Sequence, residues 1–85
     1  MIKKSEYRVC SRPSIPGLGL QIHEVFFDEK NRICFYSKDP VSPYGDTIDE
    51  LYESYYQLWR AIEDHEVHDL DRLDKKLSIR KSSDQ

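Results

Sequence analysis

Residues 42–62 read SPYGDTIDELYESYYQLWRAI and carry the clearest structural signal in the chain. Thr47 is a favoured residue for capping the N-terminus of a helix, and Glu50 stands three places after it. This spacing lets each of the two side chains bond a backbone N–H that the first helical turn leaves unpaired. The pattern predicts a helix that begins at about Ile48 and ends at residue 63 or 64.

Apolar side chains recur along this helix at steps of three and four, which places them on one face. They are Ile48, Leu51, Tyr52, Tyr55, Leu58, Trp59 and Ile62. We expect this face to pack on a small sheet, with Tyr52, Tyr55 and Trp59 in the core. Tyr56 falls outside the apolar stripe and is expected at the surface, where aromatic side chains often contact partner proteins.

Three segments before the helix have the alternation or the β-branched and aromatic content of strands. They are residues 5–12, 20–27 and 32–38. Prolines and glycines in residues 13–19 predict an irregular connection, and residues 28–31 predict a hairpin loop with Asn31 at positive φ. Residues 39–45 then form a rigid crossover to the helix.

The sequence therefore predicts an α+β fold, with a three- or four-stranded antiparallel β-meander packed on one long amphipathic helix. Leucines at positions 70, 73 and 77 indicate a short second helix over residues 69–77. A chain of 85 residues has room for one core, so we expect a single domain over residues 1–79 and a disordered tail over 80–85.

Charge is distributed unevenly along the chain, whose net charge is −3. Residues 46–75 carry ten acidic and three basic side chains, a local balance of −7. A surface this acidic repels phosphate backbones, so nucleic acid is not the expected ligand. It favours a basic protein partner, although a solvated helix face would have the same composition.

The cysteines and the N-terminus indicate a cytoplasmic protein. Cys10 and Cys34 are too few and too far apart for a disulfide framework or a close metal pair. Cys34 alternates with apolar neighbours and is expected to be a half-buried strand residue. The first residues lack the apolar run of a signal peptide, and no stretch approaches the length needed to span a membrane.

No pattern in the chain indicates catalysis, a metal site or a cofactor. His65 and His68 would share a helix face, but two ligands do not complete a zinc site. His23 stands beside Glu24 in a strand, without an evident nucleophile or oxyanion donor. We therefore expect no enzymatic activity.

Two further interpretations stay open at this stage. Aromatic and basic residues on adjacent predicted strands suggest a sheet that binds single-stranded RNA. They are Phe26, Phe27, Phe35, Tyr36, Arg32 and Lys38. The exposed strand edges and the many aromatic residues would also allow a self-associating structural protein, a homodimer with no further ligand.

Residues 45–51, GDTIDEL, follow three predicted strands and resemble the helix start of HicB-type antitoxins, which have a partial RNase H-like fold. Residues 23–29, HEVFFDE, and 40–47, PVSPYGDT, resemble small HicB-like proteins of bacteria and phages. The likeness covers roughly residues 18–64. It implies the three-strand, one-helix arrangement already predicted from the residues.

The resemblance also implies a function, because in that family this domain binds and occludes a small basic ribonuclease toxin. We therefore predict a protein-binding module, antitoxin-like or inhibitor-like, for a basic partner such as a toxin or nuclease. The alternative is that the chain is a phage-encoded inhibitor whose target is a bacterial defence protein. The expected partner-binding residues lie on the polar side of the helix: Asp49, Glu53, Tyr56, Arg60 and Glu63.

Overall fold

The computed structural model describes the backbone of residues 1–83 and the side chains through residue 78. Its elements in chain order are β1 (Ile2–Ser11), β2 (Leu20–Asp28), β3 (Ile33–Tyr36), α1 (Ile48–Glu63), β4 (Val67–Asp69) and α2 (Leu70–Ser83). The α+β class is therefore confirmed. α2 is longer than the short helix predicted over 69–77, and β4 is a strand that the sequence analysis did not predict.

The four strands form one sheet in the order β3-β2-β1-β4. β1 pairs antiparallel with β2, and β2 pairs antiparallel with β3. β4 instead runs parallel to β1, with Val67 opposite Val9. The sheet is thus mixed and not the antiparallel meander predicted, because α1 carries the chain across the sheet before β4 begins.

A tight turn joins β2 to β3 as predicted. Asn31 adopts a φ of 61°, in the left-handed region that asparagine tolerates well. One oxygen of the Asp28 carboxylate accepts hydrogen bonds of 2.9 Å from the backbone N–H of both Lys30 and Arg32. These bonds hold the turn closed and so fix the register of the two strands.

The main core lies between the sheet and α2. Alternation along the strands brings Cys10, Val25 and Phe27 to one face, where Leu70 and Leu73 of α2 cover them. Val25 is 0% exposed. The sequence predicts that the long helix α1 covers the core, but in the structure α2 occupies that position.

α1 lies against the opposite face of the sheet and buries little of itself. Leu58 is 8% exposed and Ala61 is also buried, but Trp59 is 53% exposed. The prediction that Tyr52, Tyr55 and Trp59 form the core is wrong for the isolated chain. Only the C-terminal half of α1 reaches the sheet, as the buried positions show.

The overall dimensions agree with an extended arrangement. The radius of gyration is 14.3 Å, and the longest axis extends 47 Å. A compact domain of this length is expected to have a radius of about 12 Å. The chain is therefore more extended than a compact domain of its length, and the N-terminal half of α1 contributes no buried residue to a core.

A polar network fastens α2 to the sheet. The Arg12 guanidinium donates to Asp71 at 3.0 Å, to Asp74 at 3.1 Å and to the Tyr36 hydroxyl at 2.7 Å. Tyr36 in turn donates to Asp74 at 2.6 Å. The backbone N–H and the hydroxyl of Ser14 also donate to Asp71. The network links the loop that follows β1 to β3 and α2.

These bonds predict an acid-sensitive contribution to stability. The Ser14 backbone N–H, the Ser14 hydroxyl and Arg12 stabilise the charged carboxylate and lower the pKa of Asp71. The pKa of Asp71 is therefore lower in the folded chain than in the unfolded chain, where it is about 3.9. The stability that Asp71 contributes is fully present above the unfolded pKa and is lost as the pH falls through the folded pKa. Asp71→Asn is expected to lower stability at pH 7 and to flatten the loss of stability below about pH 4.

The measurement is urea unfolding followed by circular dichroism across that pH range. Glu29→Gln, which removes an exposed carboxylate from the β2–β3 turn, is the matched control and should keep the wild-type profile. An Asp71→Asn profile with the wild-type slope below pH 4 would show that the network does not contribute in this way.

The predicted domain boundary at residue 79 falls inside α2, whose backbone continues to Ser83. Residues 84–85 of the predicted tail lie outside the described residues.

Candidate interaction surface

The start of α1 is fixed by its caps. The Thr47 hydroxyl accepts the backbone N–H of Glu50 at 3.1 Å, as predicted. The Glu50 carboxylate accepts the backbone N–H of Asp46 at 2.8 Å, one residue earlier than the reciprocal bond expected. A Cβ atom at Gly45 would overlap the backbone nitrogen of Leu51, so glycine is required for this close approach. The crossover thus sets the direction of α1 relative to the sheet.

A row of exposed apolar side chains runs the length of α1, and we call it the apolar band. It consists of Ile48, Tyr52, Tyr55, Trp59 and Ile62, each more than half exposed. Their spacing of three and four residues places them on one side of the helix, next to the buried Leu58. Within the described residues, no other element covers this row.

Part of the apolar band lines an open groove of about 630 Å³ between α1, the sheet and the crossover. The remaining walls come from the sheet and the crossover: Val9, Leu20, Ile22, Pro40, Val41 and Pro43. Leu20 is itself exposed. Contiguous exposed apolar surface is a common feature of sites that contact another molecule.

The five residues predicted to bind a partner lie together, and we call them the acidic stripe. Asp49, Glu53, Tyr56, Arg60 and Glu63 are all exposed on α1. Helical spacing places them on a single face that borders the apolar band. The Tyr56 and Trp59 rings, 6.3 Å apart at their centroids, lie where the two meet.

A second groove, of about 460 Å³, lies on the polar side of α1 above β1 and β2. Arg60 and Glu63 of the acidic stripe line it, together with Gln57 and with Tyr7 and Glu24 of the sheet. Glu24 accepts a hydrogen bond of 2.9 Å from the Ser5 hydroxyl. The C-terminal half of the acidic stripe therefore faces a polar hollow, whereas its N-terminal half faces outward.

Carboxylates also gather where α1 ends. The Arg8 guanidinium pairs with Glu6, with Asp64 at 3.5 Å and with Glu66 at 3.6 Å. It lies 5.6 Å from the centroid of the Phe27 ring. One guanidinium thus pairs with three carboxylates, so this cluster at the end of α1 has a net negative charge.

The residues considered for acid–base chemistry do not converge. Alternation along β2 puts His23 in the core with its Nδ1 2.9 Å from the Ser37 carbonyl oxygen, while Glu24 faces α1.

The two cysteines, Cys10 and Cys34, are free thiols, and Cys34 is half-buried as predicted. Burial raises the pKa of the Cys10 thiol, so it stays protonated near neutral pH.

The histidines considered for a metal site are also separated in structure. His65 has a positive φ of 57° just after α1, and His68 belongs to β4, so they share no helix face. Among the residues that the structure describes, no group of three or more possible ligands is placed to hold a metal ion.

Of the helices within the described residues, none has the length and apolar character that crossing a membrane requires.

The set considered for RNA binding is divided between the two faces of the sheet. Phe26 and Phe35 contact each other on the α1 side, with ring centroids 5.6 Å apart. Phe27 and Tyr36 pack on the α2 side. Arg32 is paired with Asp28 at 3.1 Å. A stacking surface on one face would therefore contain two of the four aromatic residues.

Comparison of the chain with protein-family models, with curated proteins and with solved structures finds no match. The likeness to HicB-type antitoxins therefore stays a prediction from the residues.

Proposed function

We propose that this chain is a protein-binding module that occludes a basic partner protein through the outer surface of α1, in the manner of an antitoxin or an inhibitor. One observation carries the proposal: the apolar band is exposed and is bordered along its length by the acidic stripe. The partner that fits this surface has an apolar centre and a basic rim.

The apolar band has the composition of an energetically important contact. Tyrosine and tryptophan are enriched among the residues that dominate binding energy at protein interfaces. Their rings bury a large area, and their polar atoms tolerate water before the partner arrives. Tyr52, Tyr55 and Trp59 are therefore suited to both the free and the bound states.

The charge of the acidic stripe selects the kind of partner. Its three carboxylates against one guanidinium leave a net charge of −2. Two copies of α1 packed on each other would bring like-charged stripes together, which disfavours that arrangement. A basic partner would gain attraction and faster association, and both effects would weaken as salt rises.

Charge reversal tests this proposal. The wild-type chain would be used at low salt to capture proteins from the native host, and the captured partner would then be purified for titration. An Asp49→Lys/Glu53→Lys variant is expected to bind it at least about tenfold more weakly, because two attractive contacts become repulsive. The difference should shrink at high salt.

A Glu29→Lys/Asp39→Lys variant is the matched control, since it makes the same charge change at exposed sites away from α1. Equal affinity of the α1 variant and this control for the partner would contradict the proposal. The identity of the partner separates the two target classes: a small toxin or nuclease indicates an antitoxin-like role, and a defence protein indicates a phage-type inhibitor.

A further inference from the structure

The outer edge of β1 is open along most of its length. β4 pairs only with Val9, Cys10 and Ser11. Across the described residues, no strand pairs with β1 on that side over residues 2–8, although β2 pairs with it on the other side. Such an edge presents backbone N–H and C=O groups that can pair with another strand.

A second copy of β1 can pair with this edge only in certain registers. A two-fold axis normal to the sheet makes the two strands antiparallel and keeps each side chain on its own face. Two residues that lie opposite each other must then point to the same face of the sheet. Since successive residues of a strand point to opposite faces, the two residue numbers are both odd or both even, and their sum is even. Within the open segment the axis can pass beside Lys4, Ser5 or Glu6.

The charges along β1 distinguish these three registers. An axis at Lys4 places Lys4 opposite its own copy. An axis at Glu6 places Glu6 opposite its own copy and Lys4 opposite Arg8. An axis at Ser5 places Lys4 opposite Glu6 of the other copy, and it does so twice. Opposite charges across a strand pair stabilise it and like charges destabilise it.

We propose that two copies of this chain associate through antiparallel β1–β1 pairing centred on Ser5, which joins their sheets into one. Lys4 and Glu6 project on the same face and are 3.8 Å apart within one chain, so they can form the cross-strand pairs. The register irregularity in the β1–β2 pairing lies between Ile2 and Lys4, at the N-terminal end of the open segment. Asp64 and Glu66, bonded to Arg8, close the other end of the edge.

This association is made by the backbone edge of β1 over residues 2–8, which does not line the groove of the apolar band. The two-fold axis would place both copies of α1 on the same side of the joined sheet. The proposal is therefore independent of the protein-binding function.

A charge exchange tests the register. Sedimentation of the full chain over a wide concentration range gives the dimer dissociation constant. Lys4→Glu alone and Glu6→Lys alone are each expected to raise this constant on the order of tenfold, because both cross-strand pairs become repulsive. The double variant Lys4→Glu/Glu6→Lys restores opposite charges and should return to within about threefold of wild type.

Thermal unfolding of each variant in parallel reports the stability of the single chain, so a folding defect is distinguished from a loss of association. A wild-type chain that stays monomeric at every concentration would overturn the proposal. A double variant that dimerises no better than the single variants would overturn it as well.

A cysteine at the symmetry axis gives a second, independent readout. Ser5→Cys in a Cys34→Ser background is expected to form a disulfide-linked dimer on mild oxidation, since opposite Cα atoms in paired strands lie within disulfide range. Tyr7→Cys in the same background is the control, because its two copies would lie about 13 Å apart along the strands. Cross-linking of the two variants to the same extent would contradict the Ser5-centred register.

Discussion

Replacement of Phe27 with alanine is expected to lower the free energy of unfolding by about 3–5 kcal/mol. Phe27 is 9% exposed and packs with Val25 and Leu73 in the core beneath α2. Removal of the ring loses apolar burial and leaves a cavity that neighbouring side chains fill only in part. Small domains have a net stability of about 5–15 kcal/mol, so this loss is a large share of the total.

Urea unfolding at neutral pH measures the change, and Phe35→Ala provides the matched control. Phe35 lies one strand away but is 57% exposed, so the same substitution there should cost less than about 1 kcal/mol. Equal losses at the two sites would show that the core does not lie between the sheet and α2.

Replacement of Trp59 with alanine is expected to weaken partner binding by at least about 2 kcal/mol, roughly thirtyfold in the dissociation constant. Trp59 is exposed, lines the apolar groove and lies beside Tyr56 at the border of the acidic stripe. The side chain would lose contact area in the complex while contributing little to the fold of the free chain. The unfolding free energy should therefore change by less than about 1 kcal/mol.

Titration of the captured partner measures this effect. Trp59 is the single tryptophan in the chain, so its fluorescence also reports burial of the apolar band directly in the wild-type protein when the partner lacks tryptophan. Tyr44→Ala is the control, since Tyr44 is an exposed aromatic residue outside α1. Unchanged affinity for Trp59→Ala, or an equal loss for Tyr44→Ala, would contradict a binding surface centred on the apolar band.

The features that sequence predicts well depend on neighbouring residues. The bounds of α1 follow from its cap and its periodicity, and Thr47 and Glu50 bond as their spacing indicates. The turn over residues 28–31 follows from the chemistry of Asp28 and Asn31. These interactions span at most a few residues, so their signal is present in any window of the chain that contains them.

The features that sequence does not predict depend on distant partners. β4 has three residues, too few to show alternation, and its pairing with Val9 is set by the path of the chain. The leucines of α2 show helical spacing, but spacing alone does not say which face of the sheet the helix covers. Helix length favoured α1 for that position, whereas α2 is placed there by its direct connection to β4 and by the Arg12 network.

The candidate site shows the same limit. The exposure of Asp49, Glu53 and the other residues of the acidic stripe follows from their polarity and position. The sequence predicts that the apolar band is core, because periodicity shows that a helix has an apolar face without showing what covers that face. Its content of tyrosine and tryptophan, in place of leucine and isoleucine, is the signal that could have indicated an interface.

The separation in sequence between β1 and its last neighbours has a consequence for synthesis in the cell. β1 ends at Ser11, and α2, which covers the same sheet, begins 59 residues later at Leu70. At translation rates of about 5–20 residues per second, this interval lasts roughly 3–12 s. During that time Cys10, joined by Val25 and Phe27 once they are synthesised, has no helix to cover it, and the nascent chain exposes apolar surface that favours chaperone binding or aggregation. Synthesis of the final quarter of the chain, which contains α2, is therefore needed before this face of the sheet is covered.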